Sequence, residues 1–408
     1  MSGTTAGTPD DGAPDRSPWL LLAGLFLLTA AAAAYQIVPA SINPIVMDRL
    51  GVGPVAAGWL VSVMFLLPVF ASVPSGLVLD RVDLDRGIAV ATAALLVACG
   101  WGWIAADAGS YAWLLASRAV GAVAFVAVWN AANSVVNGAF DAGSRATAVG
   151  LYTASGATGF ALAQVTGPLV VDAVGFGAAF GGYGALAAVG LAVFALAGGG
   201  QGTDGEAAAT PSAAQLRAVL TDRAVWHVSI LGFCSYALYL FINSWLPTYM
   251  NEVAGLSLAE SGLFVAFFPA MGAVSRMSSG LISDRLFDAR RRPVAVLSFV
   301  VTAPTFVGFA LVSDVAVLFG LLVISGYFVQ LGLGLFFSYV REVVDPAVAA
   351  TAISLLTAVG GVGAFAAPIG GGWVIERTGS YAVAFGLAAA LAVVAVGLSW
   401  IAPRPRGS

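Results

Sequence analysis

The stretch Gly76-Leu-Val-Leu-Asp80-Arg81-Val-Asp-Leu-Asp-Arg86 closes one long apolar run and opens the next. A second copy, Gly280-Leu-Ile-Ser-Asp284-Arg285-Leu-Phe-Asp-Ala-Arg290, lies 204 residues further on (284 minus 80). The same shift places Tyr35 on Tyr239, Gly51 on Gly255, Asp141 on Asp345, Thr147 on Thr351, Thr153 on Thr357, Gly156 on Gly360, Gly159 on Gly363, Gly167 on Gly371 and Gly175 on Gly379. One half of the chain is a duplicate of the other.

Composition names the solvent. With 60% hydrophobic residues, 9% charged residues and a mean hydropathy of +0.94, the chain is too apolar for a soluble surface, which carries about 25% charged residues. At about 20 residues per crossing, 408 residues leave room for about a dozen spans. The apolar runs predict an all-α membrane protein of twelve transmembrane helices in two pseudo-symmetric six-helix halves, 18–198 and 223–402. Fifty glycines suit helices that approach closely where lipid supplies no hydrophobic drive. Cys99 and Cys234 both fall inside apolar runs and read as packing residues rather than a disulfide.

Residues 1–17 are polar and lack the basic start and small-residue cleavage site of a secretory signal, so they read as a disordered cytoplasmic tail. Hydropathy collapses over 199–222, where Gly-Gln-Gly-Thr-Asp-Gly-Glu has flexible-linker composition. Leu216, Val219 and Leu220 then keep helical spacing and predict a short helix on the membrane surface. Residues 403–408 form a second short tail. All 17 basic residues are arginine. With the N-terminus cytoplasmic, Arg16, Arg81, Arg86, Arg145, Arg217, Arg223, Arg285, Arg290, Arg291, Arg292, Arg341, Arg404 and Arg406 fall inside, and only Arg49 and Arg377 outside. That asymmetry predicts both termini in the cytoplasm and a multi-pass protein of the cytoplasmic membrane. An isoelectric point near 4.9 provides no basic stripe for nucleic acid.

A charge inside the bilayer costs roughly 2.5 to 3.5 kcal/mol on insertion scales, so each one is a functional candidate. Arg118 and Arg276 qualify, each about 10 Å inside the core at about 1.5 Å per residue. The shift of 204 pairs Arg118 with Leu322 and Arg276 with Ser72, so neither belongs to the duplicated scaffold. Two deep cations without a deep carboxylate favour an anionic substrate, because arginine offers a planar fork to an oxyanion. Of the two, Arg276, flanked by Phe267, Phe268 and Met271, is expected to be the primary contact. Candidate lining residues are Tyr35, Gln36, Tyr152, Gln164, Tyr236, Tyr239, Asn243, Tyr327 and Gln330, with Tyr236, Tyr239 and Asn243 in one helical stripe. Gln36 and Asn43, seven apart, are expected to share a face. No His or Cys cluster indicates a metal, no acid–base pair indicates an enzyme, and no cofactor is expected. A duplicated membrane bundle with a site between its halves is a transporter architecture.

The charged repeat resembles the loop signature of the major facilitator superfamily, Gly-x-Leu-x-Asp-Arg-x-Gly-Arg-Arg, although Asp83 stands at the usual glycine of the first copy. The resemblance implies a monomeric secondary transporter working by alternating access, with a proton or sodium ion as a possible companion of a small-molecule substrate. It also implies a latch of Gly76, Asp80, Arg81 and Arg86 bracing helix two against helix eleven, and of Gly280, Asp284, Arg285 and Arg290 bracing helix eight against helix five. Asp141 and Asp345 are the expected partners of Arg81 and Arg285. Arg118-Ala-Val-Gly121 is similar to the family's Arg-x-x-x-Gly pattern with the glycine one residue early. Gly167-Pro168 is similar to the antiporter signature, but Val171-Asp172 replaces its Gly-Gly; a proton-coupled efflux antiporter is therefore the second expectation. Trp245-Leu-Pro-Thr-Tyr249 is similar to anion-symporter and cyanate-permease branches.

Overall fold

A computed structural model describes residues 17–79, 83–199, 212–287 and 290–403, and every regular element among them is helical. The first half comprises α1 (Pro18–Ser41), α2 (Asn43–Leu50), α3 (Pro54–Leu79), α4 (Leu84–Asp107), α5 (Tyr111–Ala139), α6 (Ala142–Ala173) and α7 (Ala178–Leu196). After the short α8 (Ala213–Thr221) come α9 (Arg223–Glu252), α10 (Leu258–Leu286), α11 (Arg291–Leu311), α12 (Val315–Val343), α13 (Ala349–Thr378) and α14 (Tyr381–Trp400). Twelve of the described helices are long and apolar enough to cross a membrane, as composition requires. The protein is a multi-pass membrane protein.

Packing repeats as the sequence does. In the first half α1 packs on α6 and α7, and α4 on α5 and α7; in the second, α9 packs on α13 and α14, and α11 on α12 and α14. The expected surface helix is α8, opened by a reciprocal cap in which Gln215 N–H donates to Ser212 Oγ (3.2 Å) and Ser212 N–H to Gln215 Oε1 (2.9 Å). Its Val219 is buried while Leu216 and Leu220 stay exposed, and Gln215 Nε2 donates to the Ala347 carbonyl just before α13 (3.0 Å).

The first span differs from its expected form. It breaks at Ile42, whose φ of −128° and ψ of 21° leave the helix between Pro39 and Pro44. Helical periodicity therefore does not carry across the break, and the expected common face of Gln36 and Asn43 is lost. Gln36 Nε2 donates to the Met64 carbonyl of α3 (3.1 Å), whereas Asn43 Nδ2 crosses to the Ser244 carbonyl of α9 (2.9 Å).

The halves meet along α3–α13 and α6–α10, the two helix pairs the latch was expected to brace. Among the described residues, the side-chain hydrogen bonds between membrane helices of the two halves lie towards the end remote from the termini. They are Asn43 to Ser244, Val55 N–H to Glu376 Oε2 (3.1 Å), Ser62 Oγ to the Phe365 carbonyl (2.7 Å) and Gln164 Nε2 to the Asn243 carbonyl (2.9 Å). Glycine makes that approach possible: a Cβ on Gly58 would lie 2.6 Å from the Pro368 carbonyl oxygen, and one on Gly372 2.5 Å from that of Pro54. Towards the end that carries the termini, no residue of α3 from Phe65 to Ser72 is fully buried. The bundle is sealed at the end remote from the termini, while towards the other end α3 is only partly covered.

The latch residues divide. Asp80 and Arg81 lie outside the described residues, whereas Gly76 and the Gly280 and Asp284 pair sit near the ends of α3 and α10. The Asp345 side chain accepts from the Ala347 N–H (2.9 Å) and caps a 3-10 turn at Pro346–Val348, and Arg285 is exposed without a partner among the described residues. The Asp141 carbonyl accepts the Arg145 N–H (2.9 Å) at the start of α6. Arg86 donates its own N–H to Asp83 (3.1 Å). Arg290 is at the N-cap of α11, and its neighbour Arg291 pairs with Glu342 of α12 (2.8 Å). Among the described residues the Arg285 and Asp345 side chains do not meet.

The sealed end generates a first prediction. The first turn of α3 has no side chain at its cap, Gly53, and Glu376 supplies the missing acceptor from the other half. Loss of a helix cap costs about 1 kcal/mol, roughly fivefold in a two-state population. Glu376→Ala should therefore raise maleimide labelling of a cysteine placed at Ala56 by about that factor, with Glu376→Gln between it and the parent. Equal labelling in all three would show that the contact does not hold the seal.

Candidate functional site

Arg118 is the most confined charge among the described residues. It is fully buried on α5, its Nη1 donates to the Tyr35 carbonyl (3.0 Å), its Nη2 to the Gln36 carbonyl (2.6 Å) and its Nε to the Leu60 carbonyl. The guanidinium carbon also stands 5.0 Å above the Tyr35 ring. Its partners follow from local sequence: Pro39 has no N–H to offer residue i−4, so the Tyr35 carbonyl is left open in a medium without water. Gly121 explains the early glycine of the Arg118 stretch, since a Cβ there would lie 2.5 Å from the Tyr35 ring.

The other polar candidates are largely spent in the same way. Gln36 fills the Met64 carbonyl, which Pro68 opens, and Gln164 fills the Asn243 carbonyl, which Pro247 opens. Asn243 Nδ2 returns to the Tyr239 carbonyl (2.9 Å), and Gln330 Nε2 donates to the Phe268 (2.7 Å) and Gly326 (3.0 Å) carbonyls. Tyr152 is buried with its hydroxyl on the Trp129 carbonyl (3.0 Å). Tyr327 is half-buried and shares a hydrogen bond with Ser278 Oγ (2.7 Å). These side chains are engaged first with the backbone.

Arg276 is different. On α10 the exposed Leu263, Phe267, Ala270 and Val274 form a lipid-facing stripe at i, i+4, i+7 and i+11. At 3.6 residues per turn Arg276 lies roughly 160° round the helix from it. It is exposed all the same, so its surface faces the interior of the bundle. Two features fix where. Its Cα lies 3.4 Å from the position a Cβ on Gly334 of α12 would take, and about two turns along α10 from it Phe268 stacks on Tyr239 of α9 (5.6 Å), with Tyr236 one turn from Tyr239 on the same helix. Among the described residues its guanidinium has no ion pair or hydrogen bond. The structure therefore gathers Arg276, Tyr236 and Tyr239, and separates them from Arg118.

Above Arg276, towards the sealed end, Tyr239 is held between two rings. Phe160 of α6 stacks on one face (5.8 Å, 19°) and Phe268 of α10 on the other (5.6 Å, 26°), so one aromatic stack crosses from half to half. Tyr236 packs edge-on against Gly360 of α13, where a Cβ would meet the ring at 2.6 Å. Phe160, Phe268 and Glu376 carry no motif and are not evident from sequence. The proline positions, by contrast, do forecast which carbonyls need a donor. An apolar groove of about 350 Å³ between α9, α13 and α14, lined by Phe233, Trp373 and Leu391 among others, contains no charged side chain.

The family model of the major facilitator superfamily matches residues 24–303. The chain belongs to the major facilitator superfamily. Curated relatives include the nitrite extrusion protein of Bacillus subtilis (strain 168), 29% identical over 260 residues, 62% of this chain and 59% of that protein. A probable sulfoacetate transporter of Cupriavidus necator is 30% identical across 41% of this chain and 40% of its own. The hexuronate transporter of B. subtilis is 25% identical across 40% of each. The match thus spans about three fifths or less of the length of these relatives. In fold, the chain is similar to a bacterial homologue of the human lysosomal transporter Spinster in an inward-facing, occupied conformation (TM-score 0.76, 17% identity, 96% of this chain and 97% of that one). It is also similar to the nucleoside transporter NupG (TM-score 0.78, 15% identity, 94% and 99%).

Arg118 carries the second prediction. Replacing it with methionine leaves the buried Tyr35 carbonyl without a donor and removes the second donor of the Gln36 and Leu60 carbonyls, which at about 1 to 3 kcal/mol for an unsatisfied buried group should lower thermal stability in detergent by several degrees. Arg118→Lys should recover only part, because an ammonium cannot span the fork. Unchanged melting with abolished substrate binding would instead make Arg118 a substrate contact.

Proposed function

We propose that this protein is a secondary transporter of the cytoplasmic membrane that carries a small anion by alternating access, with Arg276 as the primary contact. The single observation behind this reading is a guanidinium that is exposed to the interior of a membrane bundle and has no protein partner among the described residues. A bare cation within the membrane span is costly, and an oxyanion meets its planar fork with two parallel hydrogen bonds. Relatives named for nitrite, sulfoacetate and hexuronate point the same way. Arginine placement supports cytoplasmic termini; in that orientation the seal faces outward, and rocking of the halves would expose Arg276 to either side in turn. Coupling to a proton or sodium ion belongs to the same proposal, as does a latch of Asp80 and Asp284 holding the inner end when it closes. Arg118 takes a supporting role, clamping α1, α3 and α5 into one body.

Proteoliposome uptake tests it. Transport should saturate and show counterflow, which a channel would not. Arg276→Gln should weaken apparent affinity ten- to a hundredfold, the equivalent of about 1.5 to 3 kcal/mol for a charge-assisted contact, and Arg276→Lys should restore part of it. Unaltered anion uptake in Arg276→Gln at equal membrane abundance would remove Arg276 from the pathway. Asp80→Asn should slow turnover without loss of insertion.

A further inference from the structure

We infer that the site accepts a monovalent anion and discriminates against solutes that carry two negative charges. This rests on the anion reading of Arg276 and adds a charge count to it. Among the described residues, two charged side chains lie deep within the membrane spans, Arg118 and Arg276. Arg118 is fully buried and directed at three backbone carbonyls, so its charge stabilises the scaffold and has no face turned to a solute. His227, near the start of α9, is tied through Nε2 to the Leu398 carbonyl of α14 (2.7 Å). One cation is left to meet a ligand.

The neutral groups sharpen the count. The amide N–H groups of Gln164, Asn243 and Gln330 are turned to backbone carbonyls, and their oxygens Gln164 Oε1, Asn243 Oδ1 and Gln330 Oε1 are buried without a donor. Gln330 stands against Gly272, one helical turn from Arg276, and Asn243 is one turn beyond Tyr239. Of these amides Gln330 is the one near the guanidinium, and both its N–H groups are spent on backbone carbonyls. A first anionic group is neutralised by Arg276 and can take a hydrogen bond from Tyr236. A second finds neither a further cation nor a free amide donor among the described residues, and a desolvated charge without a partner is strongly disfavoured. Nitrite, a monocarboxylate, a monosulfonate or a uronate fits this arrangement. A dicarboxylate, a sulfocarboxylate or a phosphomonoester at neutral pH does not.

The test uses pairs of solutes matched in skeleton and differing by one charge: D-glucuronate against D-glucarate, and isethionate against sulfoacetate. Binding is read as thermal stabilisation of the purified wild-type protein over a concentration series, since a ligand stabilises in proportion to the logarithm of its saturation. Uptake into proteoliposomes is measured in parallel. The monoanion of each pair should act at a concentration at least tenfold lower than its dianionic partner, and its effect should disappear in Arg276→Gln. Equal or better action of the dianions would overturn the one-charge count and leave the anion reading intact. Stabilisation by neutral sugars alone, or by no anion of either charge, would overturn both. The comparison within each pair is made on the wild-type protein and holds whether or not the variant folds.

Discussion

The constraint on which this structure depends is that a carbonyl oxygen inside a bilayer must find a donor within the protein. Each proline in a membrane helix opens the carbonyl four residues before it. In this chain three of those openings are closed by the side chains that at first sight suggest a substrate site. Pro39 opens Tyr35, taken by Arg118; Pro68 opens Met64, taken by Gln36; Pro247 opens Asn243, taken by Gln164. Polarity in these helices is thus first a repair of broken ladders. What marks Arg276 out is that no carbonyl or carboxylate among the described residues claims it.

The same constraint decides how much of the protein can be read from sequence. Hydropathy and the shift of 204 residues fix twelve spans and two halves because both are collective signals, summed over some 20 residues or over the chain. The helix pairs at the interface follow from the fold. Individual contacts do not: Phe160, Tyr239 and Phe268 form one stack from three helices that are remote in sequence, and nothing local distinguishes them from lipid-facing rings such as Phe267. The common face expected for Gln36 and Asn43 failed because one residue, Ile42, leaves the helix. The two arginines looked alike in sequence, equally deep and equally outside the repeat. The difference between a spent and an unpartnered guanidinium appears only once three backbone segments converge on Arg118.

Glycine and symmetry explain how a seal of this tightness is built from a duplicated chain. Positions shared by both copies, such as Gly159 with Gly363 and Gly167 with Gly371, are places where another helix lies within reach of a Cβ. Gly159 meets the Ala30 carbonyl of α1, and Gly363 the Phe233 carbonyl of α9. These are contacts within each half, and duplication preserves them because each half must hold together alone. The contacts between halves are not symmetric in the same way. The first turn of α10 is capped by its own Ser257 and Glu260, whereas the equivalent Gly53 before α3 leaves the task to Glu376 of the other half.

That asymmetry reaches the broken helices. Under the shift of 204, Pro39 falls on Asn243 and Asn43 on Pro247, so proline and asparagine have exchanged places between the two copies. In the first half the break in α1 is closed from within, by Arg118 of the same half. In the second, the carbonyl opened in α9 is closed from across the interface by Gln164, and the next carbonyl, Ser244, by Asn43. One half therefore carries its repair with it, while the other borrows donors that remain in place only while the sealed end stays shut. Were the halves to part at that end, as the proposed alternating access requires, the Asn243 carbonyl would need another donor and the amides of Asn43 and Gln164 other acceptors. The cost of opening is thus concentrated on α9, the helix that also carries Tyr236 and Tyr239 beside Arg276. Seal and site share one element, which is the physical requirement for a bound solute to influence which end is open.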